Sequence, residues 1–156
     1  MKTIFNFIFA FVLSLAPGVF GRMFTPNAGG DVWFDMLNKS VLTPDGLVFG
    51  VAWMLLYILL GVALFMIMQR RTTFPKRGAY ALFVVHMILN GMWSWMFFGA
   101  HWIVAALFVL MGLIVVAVWM GRRFWNISRW ASYLVIPYVL WMLFALYLNS
   151  MIVVLN

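Results

Sequence analysis

Charged residues are absent from five long stretches of the chain. Ile4–Gly21, Gly46–Gln69, Gly78–Gly99, Trp102–Gly121 and Trp130–Asn156 contain no Asp, Glu, Lys or Arg. Each reaches the roughly 18–20 residues with which a helix crosses about 30 Å of hydrocarbon. Lipid offers a backbone N–H or C=O no partner, so apolar runs of this length are expected to be helical. The pattern predicts five transmembrane helices at about 4–24, 46–69, 78–99, 102–121 and 130–155, with an outer loop at about 25–45. The expected fold is an all-α integral membrane protein, one domain formed by a single five-helix bundle.

The first stretch needs a separate argument. Lys2, the apolar run and Ser14-Leu15-Ala16 imitate a secretory signal. Pro17 after the supposed cut disfavours cleavage, and apolar character continues to Phe24, so the segment reads as a retained helix. Pro17-Gly18 predicts a kink near its outer end.

Composition and charge sharpen this picture. The 156 residues are 67% hydrophobic and 8% charged, against about 25% charged in soluble domains. Without cysteine, a disulfide framework, a thiolate metal site and a cysteine nucleophile are all excluded. Lys2, Arg70, Arg71, Lys76, Arg77, Arg122, Arg123 and Arg129 fall on one side of the five-span arrangement. Arg22, Lys39 and all three acids, Asp31, Asp35 and Asp45, fall on the other. This asymmetry predicts a cytoplasmic N-terminus and a C-terminus outside. The net charge of +7 therefore reads as a topology signal. The bases lie in short loops at headgroup level, so no nucleic-acid partner is expected.

One connection is long. Thr25–Asp45 holds Pro26, Gly29-Gly30 and Pro44, which exclude a continuous helix. It also carries Trp33 and Phe34. These aromatics suit a lid folded back on the bundle, and they equally suit an interfacial belt. The loops at Arg70–Arg77 and Arg122–Arg129 read as tight connections, and no internal repeat is evident.

Polar residues inside the spans mark candidate faces. In the third span His86, Asn90 and Ser94 recur at four-residue spacing, and Trp93 and Phe97 share their roughly 100° arc. Phe49, Trp53 and Tyr57 form a similar stripe in the second span, and Trp141, Ala145 and Asn149 in the fifth, beyond Pro137. Polar groups within a membrane usually face the bundle interior or a cavity. Interhelical hydrogen bonding and close packing at Ala145 are the simpler reading of the same residues.

At these positions the chain resembles the family of tryptophan-rich sensory proteins and mitochondrial translocator proteins (TspO/MBR), also called peripheral-type benzodiazepine receptors. Its anchors are Trp33-Phe34-Asp35-Met36-Leu37-Asn38-Lys39 with Pro44, then Ala52-Trp53 and Tyr57. Asn90, Trp93-Ser94 and Phe97-Phe98-Gly99 follow, and Pro137-Tyr138-Val139-Leu140-Trp141, Phe144-Ala145 and Leu148-Asn149 complete the set. The resemblance covers nearly the whole chain. It implies a five-helix bundle, often a homodimer, with a pocket at the loop end. Such proteins bind porphyrins, haem-related tetrapyrroles, sterols and benzodiazepine-type ligands, and bacterial members are linked to tetrapyrrole handling and to light, oxygen or stress responses. Carried over by position, the pocket would include Phe34, Pro44, Trp53, Asn90, Trp93, Ser94, Phe97, Trp141, Ala145 and Asn149. The stripe in the second span adds Phe49 and Tyr57.

Departures from the family pattern matter too. After Lys39 the family usually has proline, tryptophans and a double proline, whereas this chain has Ser40, Val41, Leu42 and Pro44-Asp45. A more mobile lid or an altered ligand preference is expected. No Lys or Arg follows Tyr133, Tyr138 or Tyr147, so the sterol motif of the animal members lacks support here. Arg129, Tyr133 and Val135 fit only its reversed form, a weak pattern.

The chemistry of the expected ligand is simple. A tetrapyrrole is a flat apolar body with carboxylates at one edge. Trp53, Trp93 and Trp141 could stack on it, Asn90 and indole N–H groups could bond its polar atoms, and Lys39 or Arg22 could meet its carboxylates. His86 is a conceivable haem ligand. The expected partners are thus a tetrapyrrole or another hydrophobic small molecule and the bilayer; porphyrin or haem is a ligand, and no cofactor or metal is required. With every Asp in the outer loop and no Glu, an acid–base or nucleophilic enzyme is not indicated. Light-driven porphyrin breakdown by the bound pigment is the rival reading that the resemblance allows. A transporter of porphyrins or other small hydrophobic molecules ranks lower, without intramembrane charge or doubled hydropathy halves.

Overall fold

A computed structural model describes residues 1–25 and 32–156. Pro26, Gly29, Gly30 and Asp31, named above, lie outside the described residues. The described residues form helices α1 (Lys2–Arg22), α2 (Val32–Met36), α3 (Gly46–Gln69), α4 (Arg77–Ser94), α5 (Ile103–Trp125), α6 (Arg129–Tyr133) and α7 (Val135–Leu155). Five spans are long and apolar enough to cross a bilayer: α1, α3, α4 with its terminal turn, α5, and α6 joined to α7.

Boundaries shift where local chemistry intervenes. α1 starts at Lys2, continues through Pro17 and ends at Arg22, short of the expected Phe24. α5 runs on to Trp125 and takes Arg122 and Arg123 into its last turn, where cations oppose the negative end of the helix dipole. The last span breaks at Leu134. Pro137 has no N–H to give the carbonyl of Tyr133, so a continuous ladder cannot form there. α4 gives way to a π-turn at Trp95–Gly99, closed by Ala100 N–H on the Trp95 carbonyl at 2.8 Å. Such wide turns recur at functional sites. They rotate the chain that follows, and His101 sits just beyond with φ of 57°.

The spans close into a ring. α1 packs on α3 and α4, α4 on α5, α5 on α6 and α7, and α3 on α6 and α7. Close approach of α1 depends on small residues. Gly18 faces the Tyr57 ring, and a Cβ there would lie 2.8 Å from Cε2. Gly21 leaves room for the Ser94 side chain. Within the ring, large side chains fill the axis: Tyr138, Phe83, His86 and Asn90 are among the largest fully buried ones. The outer faces carry exposed Val, Leu, Ile and Phe, as expected where the solvent is hydrocarbon.

Candidate functional site

The centre of the bundle is an aromatic stack over a polar clasp. Trp53 of α3 lies 6.0 Å from Trp93 of α4, centroid to centroid, tilted by 31°. Trp93 in turn stacks on Phe97 at 5.6 Å. Phe49, one turn before Trp53, contacts both Trp53 at 6.1 Å and Trp141 of α7 at 5.8 Å. Beneath them Tyr57 donates to Asn90 Oδ1 at 2.6 Å, and Asn90 Nδ2 donates to the Tyr138 hydroxyl at 2.8 Å. One amide therefore joins α3, α4 and α7. A second amide does similar work nearer the loop end. Asn149 Oδ1 accepts from Trp93 Nε1 at 3.3 Å, while its Nδ2 donates to the Ile103 carbonyl at 3.1 Å, in the first turn of α5.

The long loop covers this stack. Trp33 of α2 lies nearly parallel to the His101 ring, 3.8 Å away with 7° between planes, and touches the Phe97 edge. Phe34 packs on Phe97 and Phe98. The π-turn thus presents two rings and a histidine to α2. Four polar contacts hold the rest of the loop to α7, one of them from Asn38 Nδ2 to the Leu155 carbonyl at 3.3 Å. Asn38 N–H donates to Asn156 Oδ1 at 3.1 Å, Asn156 Nδ2 returns a bond to the Asn38 carbonyl at 3.1 Å, and the Ser40 hydroxyl lies 3.0 Å from that of Tyr147.

The expected site residues divide accordingly. Phe34, Phe49, Trp53, Tyr57, Asn90, Trp93, Phe97 and Asn149 join through the ring contacts and hydrogen bonds just described. Ala145 is buried on the same face of α7, and Trp141 is half-buried at its edge. Pro44 is half-buried just before α3. Ser94 stands apart: it turns toward Gly21 of α1, because it lies at the far edge of the arc that starts at His86. Lys39, expected to meet a ligand carboxylate, is engaged within the loop. Its Nζ donates to the Phe34 carbonyl at 2.7 Å, lies 4.4 Å over the Phe34 ring, and stands 3.8 Å from Asp35. Arg22 is exposed. The Ser40 hydroxyl lies 3.0 Å from that of Tyr147 and accepts from Leu42 N–H at 3.2 Å.

Tyr138 completes the clasp and was not among the expected site residues. A seven- and eleven-residue spacing would have found it: Tyr138, Ala145 and Asn149 share an arc of about 40°, from which Trp141 is turned away by about 60°. The Trp33–His101 stack has no such signal, since it depends on the π-turn.

The stack leaves specific groups unused. The indole N–H groups of Trp53 and Trp141 and both ring nitrogens of His86 are buried without a protein partner among the described residues. Each such group costs roughly 1–3 kcal/mol if left unpaired. The two indoles border the stack, where a flat ligand with carbonyl or carboxylate oxygens would meet them. His86 is fully buried, with its ring against the Tyr138 edge at 5.0 Å. Two open grooves, of about 520 and 380 Å³, lie elsewhere on the bundle; neither is lined by Trp53, Trp93 or Trp141. The rings of the stack pack on one another at centroid distances of 5.6–6.1 Å.

Five membrane spans around a tryptophan-rich centre, closed at one end by an aromatic loop, define a polytopic integral membrane protein. The chain belongs to the TspO/MBR family, which it matches over residues 10–155. It is 34% identical over 142 residues to the tryptophan-rich protein TspO of Archaeoglobus fulgidus, covering 91% of each chain. The protein of the same name from Chlorobaculum tepidum is 33% identical over 158 residues, with 99% of this chain and 98% of that relative covered. A tryptophan-rich sensory protein of Cereibacter sphaeroides is 31% identical over 134 residues, covering 86% and 80%.

Proposed function

We propose that this protein binds a tetrapyrrole, a porphyrin or haem-related molecule, within the membrane, and serves a sensory, regulatory or tetrapyrrole-handling role. One observation carries the reading: Trp53 packs on Trp93, Phe49 links Trp53 to Trp141, and the indole N–H groups of Trp53 and Trp141 have no acceptor among the described residues. Flat faces with buried donors suit a flat, largely apolar ligand with a few acceptor atoms. The loop from Trp33 to Ser40 acts as the lid, since it covers the stack and is tied by side-chain contacts at α7 and at His101. Trp53 and Trp93 are buried against their neighbours, so entry of a ligand goes with movement of side chains or of the loop. His86 stays behind the Tyr138 ring, so the binding needs no axial histidine. The N-terminus lies in the cytoplasm of a bacterial cell, with the loop end outside.

Protoporphyrin titration of the purified protein tests this. Quenching of tryptophan fluorescence should saturate, and Trp53→Phe or Trp141→Phe should weaken it. Quenching that rises linearly with pigment in the wild type would refute a defined site. Light-driven breakdown is the second reading, favoured by the 6.0 Å approach of Trp53 to Trp93 at the expected ligand face. Pigment loss under illumination that Trp93→Phe slows would select it.

A further inference from the structure

All three acids of the chain, Asp31, Asp35 and Asp45, belong to the loop before α3. The opposite end therefore gathers Arg122, Arg123 and Arg129 with no carboxylate side chain to balance them. There the turn after α5 and the α6–α7 break open a groove of about 520 Å³ between α5 and the last span. Its walls grade from polar to apolar. Arg122, Trp125 and Asn126 stand at the mouth, and Ala117, Val139 and Leu140 line the deep end. From residue 117 to residue 125 a helix rises about 12 Å, close to the roughly 15 Å of hydrocarbon in one leaflet. Gly121 presents no side chain to the floor, and its carbonyl is satisfied by the Ser132 hydroxyl at 2.8 Å. Arg129 sits 5.3 Å over the Trp125 ring, which brings a second cation to the mouth. Arg122 is exposed and has no ion-pair partner among the described residues.

We propose that this groove is a site for one anionic phospholipid. The phosphate sits at Arg122 and Asn126, Trp125 lies at the headgroup level, and one acyl chain follows α5 and α7 toward Ala117 and Leu140. Charge and shape argue together. The cations need an anion that the chain does not supply at this end, and the groove has the depth of one leaflet with its apolar end inward. Basic pockets between spans are a known way of holding anionic headgroups. The site is separate from the aromatic stack, none of whose central rings line it.

The test uses the purified protein in detergent, with phosphatidylglycerol or phosphatidylcholine of the same chains, and native mass spectrometry of the retained lipid. Phosphatidylglycerol should be retained about fivefold better, the effect expected of one arginine near the headgroups. Arg122→Gln should abolish that preference, whereas Arg71→Gln in the other basic loop should keep it. Both positions are exposed, so neither change threatens folding. A second measurement needs no groove variant: phosphatidylglycerol with a brominated chain should quench the wild-type tryptophan fluorescence more than brominated phosphatidylcholine does, and equal quenching would count against the site. Equal retention of the two lipids, a preference lost equally in Arg71→Gln, or displacement of the lipid by protoporphyrin would overturn the proposal.

Discussion

Replacing Asn90 by leucine removes the hinge of the Tyr57–Asn90–Tyr138 clasp. Leucine is similar in size and suits a position that is 1% exposed, so no large cavity follows. The loss is polar. Tyr57 loses the acceptor at 2.6 Å, and Tyr138 loses the donor at 2.8 Å. Interhelical hydrogen bonds in membranes average about 0.6 kcal/mol and reach about 1.7. A buried hydroxyl left without a partner costs roughly 1–3 kcal/mol. Both hydroxyls are buried, and each loses the Asn90 bond described for it. Asn90→Leu should therefore destabilise the bundle by about 1–4 kcal/mol. Unfolding in mixed micelles with rising SDS, followed by tryptophan fluorescence, reads this directly. Tyr57→Phe supplies the control. It should cost less in the Asn90→Leu background than in the wild type, since its partner is already gone. A variant within about 0.5 kcal/mol of the wild type, or a Tyr57→Phe cost that is the same in both backgrounds, would refute the clasp.

Three further outcomes are expected. Hydrogen exchange across residues 32–45 should slow when protoporphyrin saturates the protein, with no comparable change at residues 71–76; Ser40→Pro should weaken this protection, because it removes the bonds to Tyr147 and Leu42. Gly18→Leu should destabilise by roughly 1–3 kcal/mol by overpacking, measured by the same SDS titration, since its Cβ meets a Tyr57 ring that Asn90 holds in place; an unchanged midpoint would mean that α1 shifts freely. A reporter fused after Asn156 should be active only outside the cytoplasm, and cytoplasmic activity of an inserted fusion would reverse the orientation.

The spans were legible because the membrane leaves few choices. Absence of charge over twenty residues is a one-dimensional signal, and both the helical state and the number of crossings follow from it. The ends were less so. α5 runs past Gly121 because Arg122 and Arg123 are helix formers placed where the dipole welcomes them, a local effect that a charge-free window discards. At the site, four-residue spacing picked out Trp53, Tyr57 and Asn90, which the structure joins, together with Trp141 at the edge of the stack and Ser94 turned toward α1, and it passed over Tyr138. The geometry explains the spread: a step of four advances 40° around the helix, so a stripe of three drifts off its own face. The packing of the tryptophans against their neighbouring rings was not legible at all. A row of tryptophans reads alike whether it lines a pocket or occupies one.

That last ambiguity is informative about how such a site can work. The contacts that close the loop are few and of modest strength. A net hydrogen bond contributes about 0.5–1.5 kcal/mol, and an aromatic pair about 0.5–1.5 kcal/mol beyond its buried area. The Asn38–Asn156 bonds are exposed, where water competes for the same groups. The clasp below is of another kind, because Asn90, Tyr57 and Tyr138 are all buried and each bond joins two different spans. The molecule thus combines a firm floor with a loosely held roof, and the indoles with unused N–H groups lie between them. Low local stability belongs where a ligand must enter. A ligand that satisfied the Trp53 and Trp141 donors would recover a cost already present in the closed bundle. Opening the roof and pairing those two groups therefore pull in the same direction.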